Sequence, residues 1–218
     1  LGYGGRDYGN RVGLWRMFEV LDKHNIRCTV SLSMSVIEMY PEILEAMEAR
    51  RWEYMSHGYF NTRYHWGYAP EEEREVIEHS KATHLRLTGR KLRGWFSPAV
   101  SNTLNTPDIV KEAGLEYFCD FYHDDQPTPL ATKHGPLIHV PYSMDLNDAM
   151  IYRQPVEAEE FAQMIIDHFD TVYREGGENG RVMCLALHPY MMGAPHRLKH
   201  LDRALSYIRK HKDAWVCT

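Results

Sequence analysis

Short apolar runs alternate with amphipathic helical segments along this chain from one end to the other, with no internal repeat and no linker. A strand feeding a helix feeding another strand can pack in few ways, and the common one is a parallel sheet with right-handed crossovers. The expected strands cover 28–33, 53–56, 93–96, 117–120, 137–141, 182–187 and 214–217. The expected helices cover 10–24, 41–50, 70–88, 106–113, 161–172 and 197–210. Residues 1–9 are glycine-rich and read as a loop, without the GxGxxG spacing of a dinucleotide site. Residues 142–154 read as a long loop. The run Val182–Leu187 is apolar throughout and predicts a buried parallel strand. An open doubly wound sheet and a closed barrel both satisfy this order.

Composition bounds the rest. The chain has 218 residues, 44% of them hydrophobic and 25% charged, enough for one domain with a sizeable core. The net charge of −5 and the scattered Lys and Arg give no basic footprint, so no nucleic-acid partner is expected. No apolar run approaches the length of a membrane span, and nothing marks the chain for export, so a cytoplasmic protein without a membrane partner is expected. Cys28, Cys119, Cys184 and Cys217 lack CxxC spacing and read as free thiols in a reducing compartment. Thirteen histidines are many for this length, but the count alone is no sign of metal.

Ligands of α/β proteins bind at the carboxyl ends of the strands. Three expected strands end in chemistry there: His57, Asp120 and His188. Arg93 and Ser97 flank a fourth. Asn61 follows His57 by four residues, so one helical turn would put both on one face. Imidazole can serve as acid or ligand, carboxylate as base or orienter, and polar donors can hold an oxyanion. These types suit hydrolysis of an acyl–nitrogen or ester bond. Ser97 is a weak nucleophile candidate, since it has no GxSxG elbow and Pro98 follows at once. Arg93 either sets charge at the site or pairs with a core carboxylate. Tyr59, Phe60, Tyr64, His65, Trp66 and Tyr68 make an aromatic loop, either a pocket lining or a packed lid. The acidic run Glu71–Glu73 reads as a helix start suited to the dipole, not as a metal site.

Taken in order, these pieces resemble the polysaccharide deacetylase (NodB-homology) superfamily, and within it the allantoinase-like branch of purine catabolism. The resemblance rests on Arg6 to Gly13 with Trp15, on His57-Gly58 with Asn61, and on Arg93 through Pro98. It continues through Asp120 with Asp124, Asp125 and Pro127, and ends on Leu187-His188-Pro189 with Gly193, Pro195 and Arg197. It implies a single distorted (β/α)7 barrel domain over 1–218, here expected to lack its first strand, with that strand's acidic pair and general base, and to stop inside its last. It implies a hydrolase of carbon–nitrogen bonds that opens a cyclic ureide such as allantoin. The alternatives are a metal-dependent polysaccharide or peptidoglycan N-deacetylase and an inactive barrel used as a binding module.

The resemblance assigns catalytic roles to His57, His188, Asp120 and Arg93. It assigns substrate contacts to Asn61, Tyr59, Trp66, Ser97, Pro98, Asp124, Asp125 and Pro189. Typical members carry a second histidine where Asn61 stands, and a carboxamide is a poor zinc ligand beside imidazole. No cofactor is therefore expected; zinc, if bound, would use His57 with Asn61 or His188. The side chains of His57 and His188 are expected to share one pocket rimmed by Tyr59, Phe60 or Trp66. The expected partners are a small-molecule substrate and further copies of the chain in a homo-oligomer.

Overall fold

The computed structural model describes residues 3–154 and 156–218. The chain divides into two compact units: one runs up to Arg27 and resumes over Tyr142–Cys217, the other is Cys28–Pro141.

The first unit opens with helix α1, Tyr3–Tyr8, a π-helical turn over Gly9–Gly13, and helix α2, Leu14–Lys23. The glycine-rich opening, expected as a loop, is thus helical from Tyr3; Leu1 and Gly2 lie outside the described residues. The reason is close packing. A Cβ on Gly13 would stand 2.0 Å from the Pro189 carbonyl oxygen, and one on Gly9 would stand 2.8 Å from the Tyr190 nitrogen. The glycines let backbone approach backbone, and the π turn aligns both with that contact.

The second unit is built on one six-stranded sheet. Its strands are β1 (Thr29–Leu32), β2 (Glu53–Ser56), β3 (Gly94–Trp95), β4 (Tyr117–Phe118), β5 (Thr128–Leu130) and β6 (Leu137–His139). The spatial order is β1-β2-β3-β4-β6-β5, and all pairs are parallel except β5 with β6. The sheet is therefore mixed and open. The antiparallel edge β5 lies in a stretch to which the sequence assigns no element; Pro129 stands at its centre, and an edge is where a strand tolerates proline. Helices α3 (Met34–Met39), α4 (Pro41–Ala49), α5 (Pro70–Thr88) and α6 (Thr106–Glu112) complete the unit, with α5 packed on α3 and α6. Pro70 opens α5, and Gly89 in the left-handed region closes it. Trp95, Phe118, Ile77, Val110, Leu115 and Leu137 are essentially inaccessible and form the core. Burying such side chains contributes about 1.5–3 kcal/mol each before entropy is counted.

The first unit continues through α7 (Met150–Arg153), α8 (Ala158–Glu175) and α9 (Pro195–Ile208). Helices α8 and α9 pack together, with Phe161, Ile165 and Phe169 buried on α8 and Leu201, Ala204 and Leu205 on α9, while Met17, Phe18 and Leu21 give α2 its buried face. Two expected strands are absent here. Over 182–187 only Ala186 pairs, in an isolated bridge to Asn147, and most of the run is half-buried. Residues 214–217 form no strand, and Trp215 is exposed. An apolar run reports a tendency to be buried; it does not supply the neighbouring backbone that a ladder needs.

Candidate active-site residues

In the sheet unit, β2, β3 and β4 run parallel, so His57, the Phe96–Ser97 segment and Asp120 all follow strand carboxyl ends. The β2 exit turns at once on Gly58 (φ +71), where a Cβ would meet Pro98 Cγ at 2.8 Å. The amides of Met34 and Ser35 donate to the carbonyls of Gly58 and Tyr59 at 3.1 Å and fix the loop. His57 stacks on Phe96, with ring centroids 4.9 Å apart and 18° between planes. Its Nδ1 lies 3.0 Å from the Phe96 carbonyl oxygen. A carbonyl only accepts, so Nδ1 carries the proton and, in the neutral ring, Nε2 carries the lone pair.

Asp120 is 2% exposed. Its Oδ1 accepts the Ser97 N–H at 2.7 Å, while Oδ2 is buried without a hydrogen-bond partner among the described residues. Burial pushes this carboxyl up to about 7, against the opposing pull of its hydrogen bonds to Ser97. Beside it, Phe121, Tyr122, His123 and Leu130 line a shallow hollow.

The sequence places Asn61 on one helical face with His57; the positive φ at Gly58 rules that out, because the loop leaves the strand in a turn. Arg93 stands at the amino end of β3, away from the strand exits, and holds Glu116 at 2.7 Å on the surface. Its expected role in the site is corrected to a surface ion pair, since Glu116 and Arg93 both precede their strands. Ser97 is fully buried, and its hydroxyl accepts the Trp95 indole N–H at 3.0 Å, so it is no nucleophile. Pro98 is buried against Gly58. Neither offers the expected substrate contact; both shape the turn.

The aromatic loop has a buried member and exposed ones. His65 is buried, stacked on Tyr68 at 5.2 Å, whereas Tyr64 and Trp66 are exposed and lie 5.3 Å apart. Tyr59 donates its hydroxyl to Glu38 and packs on Phe60 and His79. Asp124 closes a turn onto the Gln126 amide, and Asp125 is exposed. Beneath the loop, Glu73 is completely buried. It accepts from Thr106 and from Thr103 at 2.8 Å, with His65 Nδ1 at 3.4 Å. Burial alone would raise its pKa, but these hydrogen bonds overcome that and hold it below the usual carboxylate range. Its neighbours Glu71 and Glu72 are the solvated helix start that the sequence suggests; Glu73 is not.

In the other unit, His188 belongs to a dyad that sequence reading misses. Its Nδ1 lies 2.6 Å from Asp148 Oδ1, and its backbone N–H donates to Oδ2 at 2.8 Å. Asp148 is fully buried, while the His188 side chain is 31% exposed. The Asp148 amide is anchored on the Ala186 carbonyl at 3.1 Å. A buried carboxylate thus fixes the ring's tautomer and orientation and presents the outer nitrogen, Nε2. The one hint in the sequence is a polar pair, Asn147-Asp148, between the buried Leu146 and Ala149. Tyr190 packs edge-on to His188 at 5.6 Å. The Pro189 carbonyl accepts the Gly193 amide at 3.1 Å and lies against Gly13. Arg197 spans Tyr152 and the Met191 carbonyl, both at 3.0 Å.

A zinc site of the histidine-rich kind does not fit these residues. Four residues after His57 stands Asn61 in place of a second histidine, and a carboxamide is a poor zinc ligand beside imidazole. Among the described residues, no group of three His, Cys, Asp or Glu side chains is placed to hold a metal ion.

Residues 7–118 match the polysaccharide deacetylase family model. A putative polysaccharide deacetylase of Schizosaccharomyces pombe (strain 972 / ATCC 24843) is 31% identical, over 97% of this chain and 72% of that protein. Among solved structures, Puue allantoinase superposes with a TM-score of 0.91 at 29% identity, covering 97% of this chain and 70% of its own. A probable polysaccharide deacetylase from Pseudomonas aeruginosa PAO1 superposes with a TM-score of 0.89 at 30% identity, covering 97% and 71%. The sheet unit and its strand exits therefore have the architecture of NodB-type domains, and the chain belongs to the polysaccharide deacetylase family, hydrolases acting on carbon–nitrogen bonds.

Proposed function

We propose that this protein opens the ring of a cyclic ureide, allantoin being the type substrate, by adding water across an amide C–N bond. The observation that carries the reading is the Asp148–His188 dyad. Ring opening delivers hydroxyl to the carbonyl carbon and a proton to the departing nitrogen. An imidazole whose Nδ1–H is held by a buried carboxylate is suited to deliver that proton from Nε2. For the sheet unit taken by itself, His57, with its tautomer set by Phe96, is assigned a hydrogen bond to a ureide group. Such a ligand is small, flat and rich in amide groups, and each buried group left unmatched would cost about 1–3 kcal/mol. Support for this substrate class comes from the likeness to an allantoinase and from Asn61 in place of a second histidine.

A second reading, N-deacetylation of an acetylated sugar, is favoured by the exposed pair Tyr64 and Trp66, which could serve as a stacking platform. The two separate in one assay: the protein is offered allantoin, other cyclic ureides and N-acetylglucosamine oligomers side by side. Ring opening without acetate release is expected. His188→Ala and Asp148→Asn should each lower turnover about 10²–10⁴-fold with the circular dichroism spectrum unchanged. Wild-type turnover in a folded His188→Ala protein would remove His188 from the reaction.

A further inference from the structure

The contacts of His57 and Asp120 meet on a single peptide group. Asp120 Oδ1 accepts the N–H of Ser97 at 2.7 Å, and His57 Nδ1 donates to the C=O of Phe96 at 3.0 Å. That N–H and that C=O are the two ends of the Phe96–Ser97 peptide bond. We infer that Asp120 is a positioning residue for His57, acting through the Phe96–Ser97 peptide as a relayed Asp–His dyad. The inference rests on the proposed role of His57 in ureide hydrolysis, but its physics does not.

The amide is a conjugated unit. A carboxylate at its N–H end draws positive charge there and leaves the carbonyl oxygen more negative. Chained hydrogen bonds strengthen one another by such polarisation. A more negative Phe96 oxygen grips the His57 Nδ1–H harder and favours the protonated ring. The peptide is well placed to transmit this. It is locked on the β3 side by the Trp95 indole on the Ser97 hydroxyl at 3.0 Å, and the Phe96 ring stacks on His57. The carboxyl is switchable, because burial brings its titration near neutrality, so the relay is strong above about pH 7 and weak below. The charged group that influences it most is Glu73, which pushes its pKa up and is itself held by His65, Thr103 and Thr106. The exposed imidazole of His123 is the titratable neighbour at the adjoining hollow. In the other unit, His188 receives the same service directly from Asp148, without a peptide between.

The test is nuclear magnetic resonance of the histidine rings, with His57 and His188 assigned by single substitution. In Asp120→Asn, a neutral side chain of the same shape still accepts from Ser97, but the charge is gone. The His57 Nδ1–H proton should move upfield at about pH 8.5, and the ring's pKa should fall by about 0.3 unit or more. The His188 signals should stay in place. In the wild-type protein the Ser97 amide and the His57 Nδ1 resonances should share one titration step, and Asp120→Asn should abolish it. A His57 spectrum identical in both proteins, or a Ser97 amide that titrates without His57 following, overturns the relay. A shifted His57 in a variant of unchanged turnover upholds the relay and counts instead against a role for His57 in hydrolysis.

Discussion

Asp120 shows how one residue ties position to proton affinity. Its folded-state pKa is raised from 3.8 to about 7 by burial. Between those values the native protein holds a proton that the unfolded chain has released, so stability falls as pH rises through that window and the loss is complete above it. Asp120→Asn removes the titration. Its melting temperature relative to wild type should therefore be higher at about pH 8 than at about pH 4, as read by thermal unfolding at both; a constant offset would contradict the buried ionisation. Glu73 has the opposite sign. Its lowered pKa contributes stability that is present above the unfolded value and is lost as pH falls through the folded one. Asp120 is legible in the sequence because it follows an apolar strand in a chain that alternates strand and helix. Asp148 and Glu73 are not, because each is fixed by partners some thirty to forty residues away.

At the scale of the element, the strands aim the turns, and the turns hold the candidate site residues. The β3 exit holds Ala99 (φ 52) and Val100 (φ 56) in the left-handed region, where a β-branched residue is strained. About 1–3 kcal/mol per residue is offset by packing and by the Val100 and Ser101 amides, which donate to Ser97 and Pro98 carbonyls at 2.9 and 3.1 Å. The π turn of the other unit is equally demanding. Gly13→Ala places a methyl 2.0 Å from the Pro189 carbonyl oxygen, so backbone must move, at a cost of about 1–3 kcal/mol. Chemical denaturation should register that loss, and a Gly13→Ala protein of wild-type stability would show the contact to be loose. Periodicity recovers helices α5, α6, α8 and α9 nearly to their ends, because each carries its own cap or breaker and an apolar stripe. It fails at 182–187 and 214–217, where hydrophobicity is mistaken for pairing, and at β5, where Pro129 hides an edge strand.

At the scale of the molecule, family membership and residue chemistry pull apart on one point. Deacetylases of this family are typically metal-dependent, yet the histidine that would complete a zinc site is Asn61 here. The protein purified without added metal is expected to carry less than stoichiometric zinc by elemental analysis, and chelation should leave ring opening intact. Stoichiometric zinc or iron, lost together with activity on chelation, would reverse that reading. Among the described residues no helix is long and apolar enough to cross a membrane. The edge strand β5 has a last consequence. An open sheet offers its outermost backbone to any passing strand, and a flat edge seeds fibrils. Pro129 sits in the middle of a three-residue edge with no N–H to give. That side of the sheet is a poor template for a foreign strand, which guards the concentrated protein against edge-to-edge stacking.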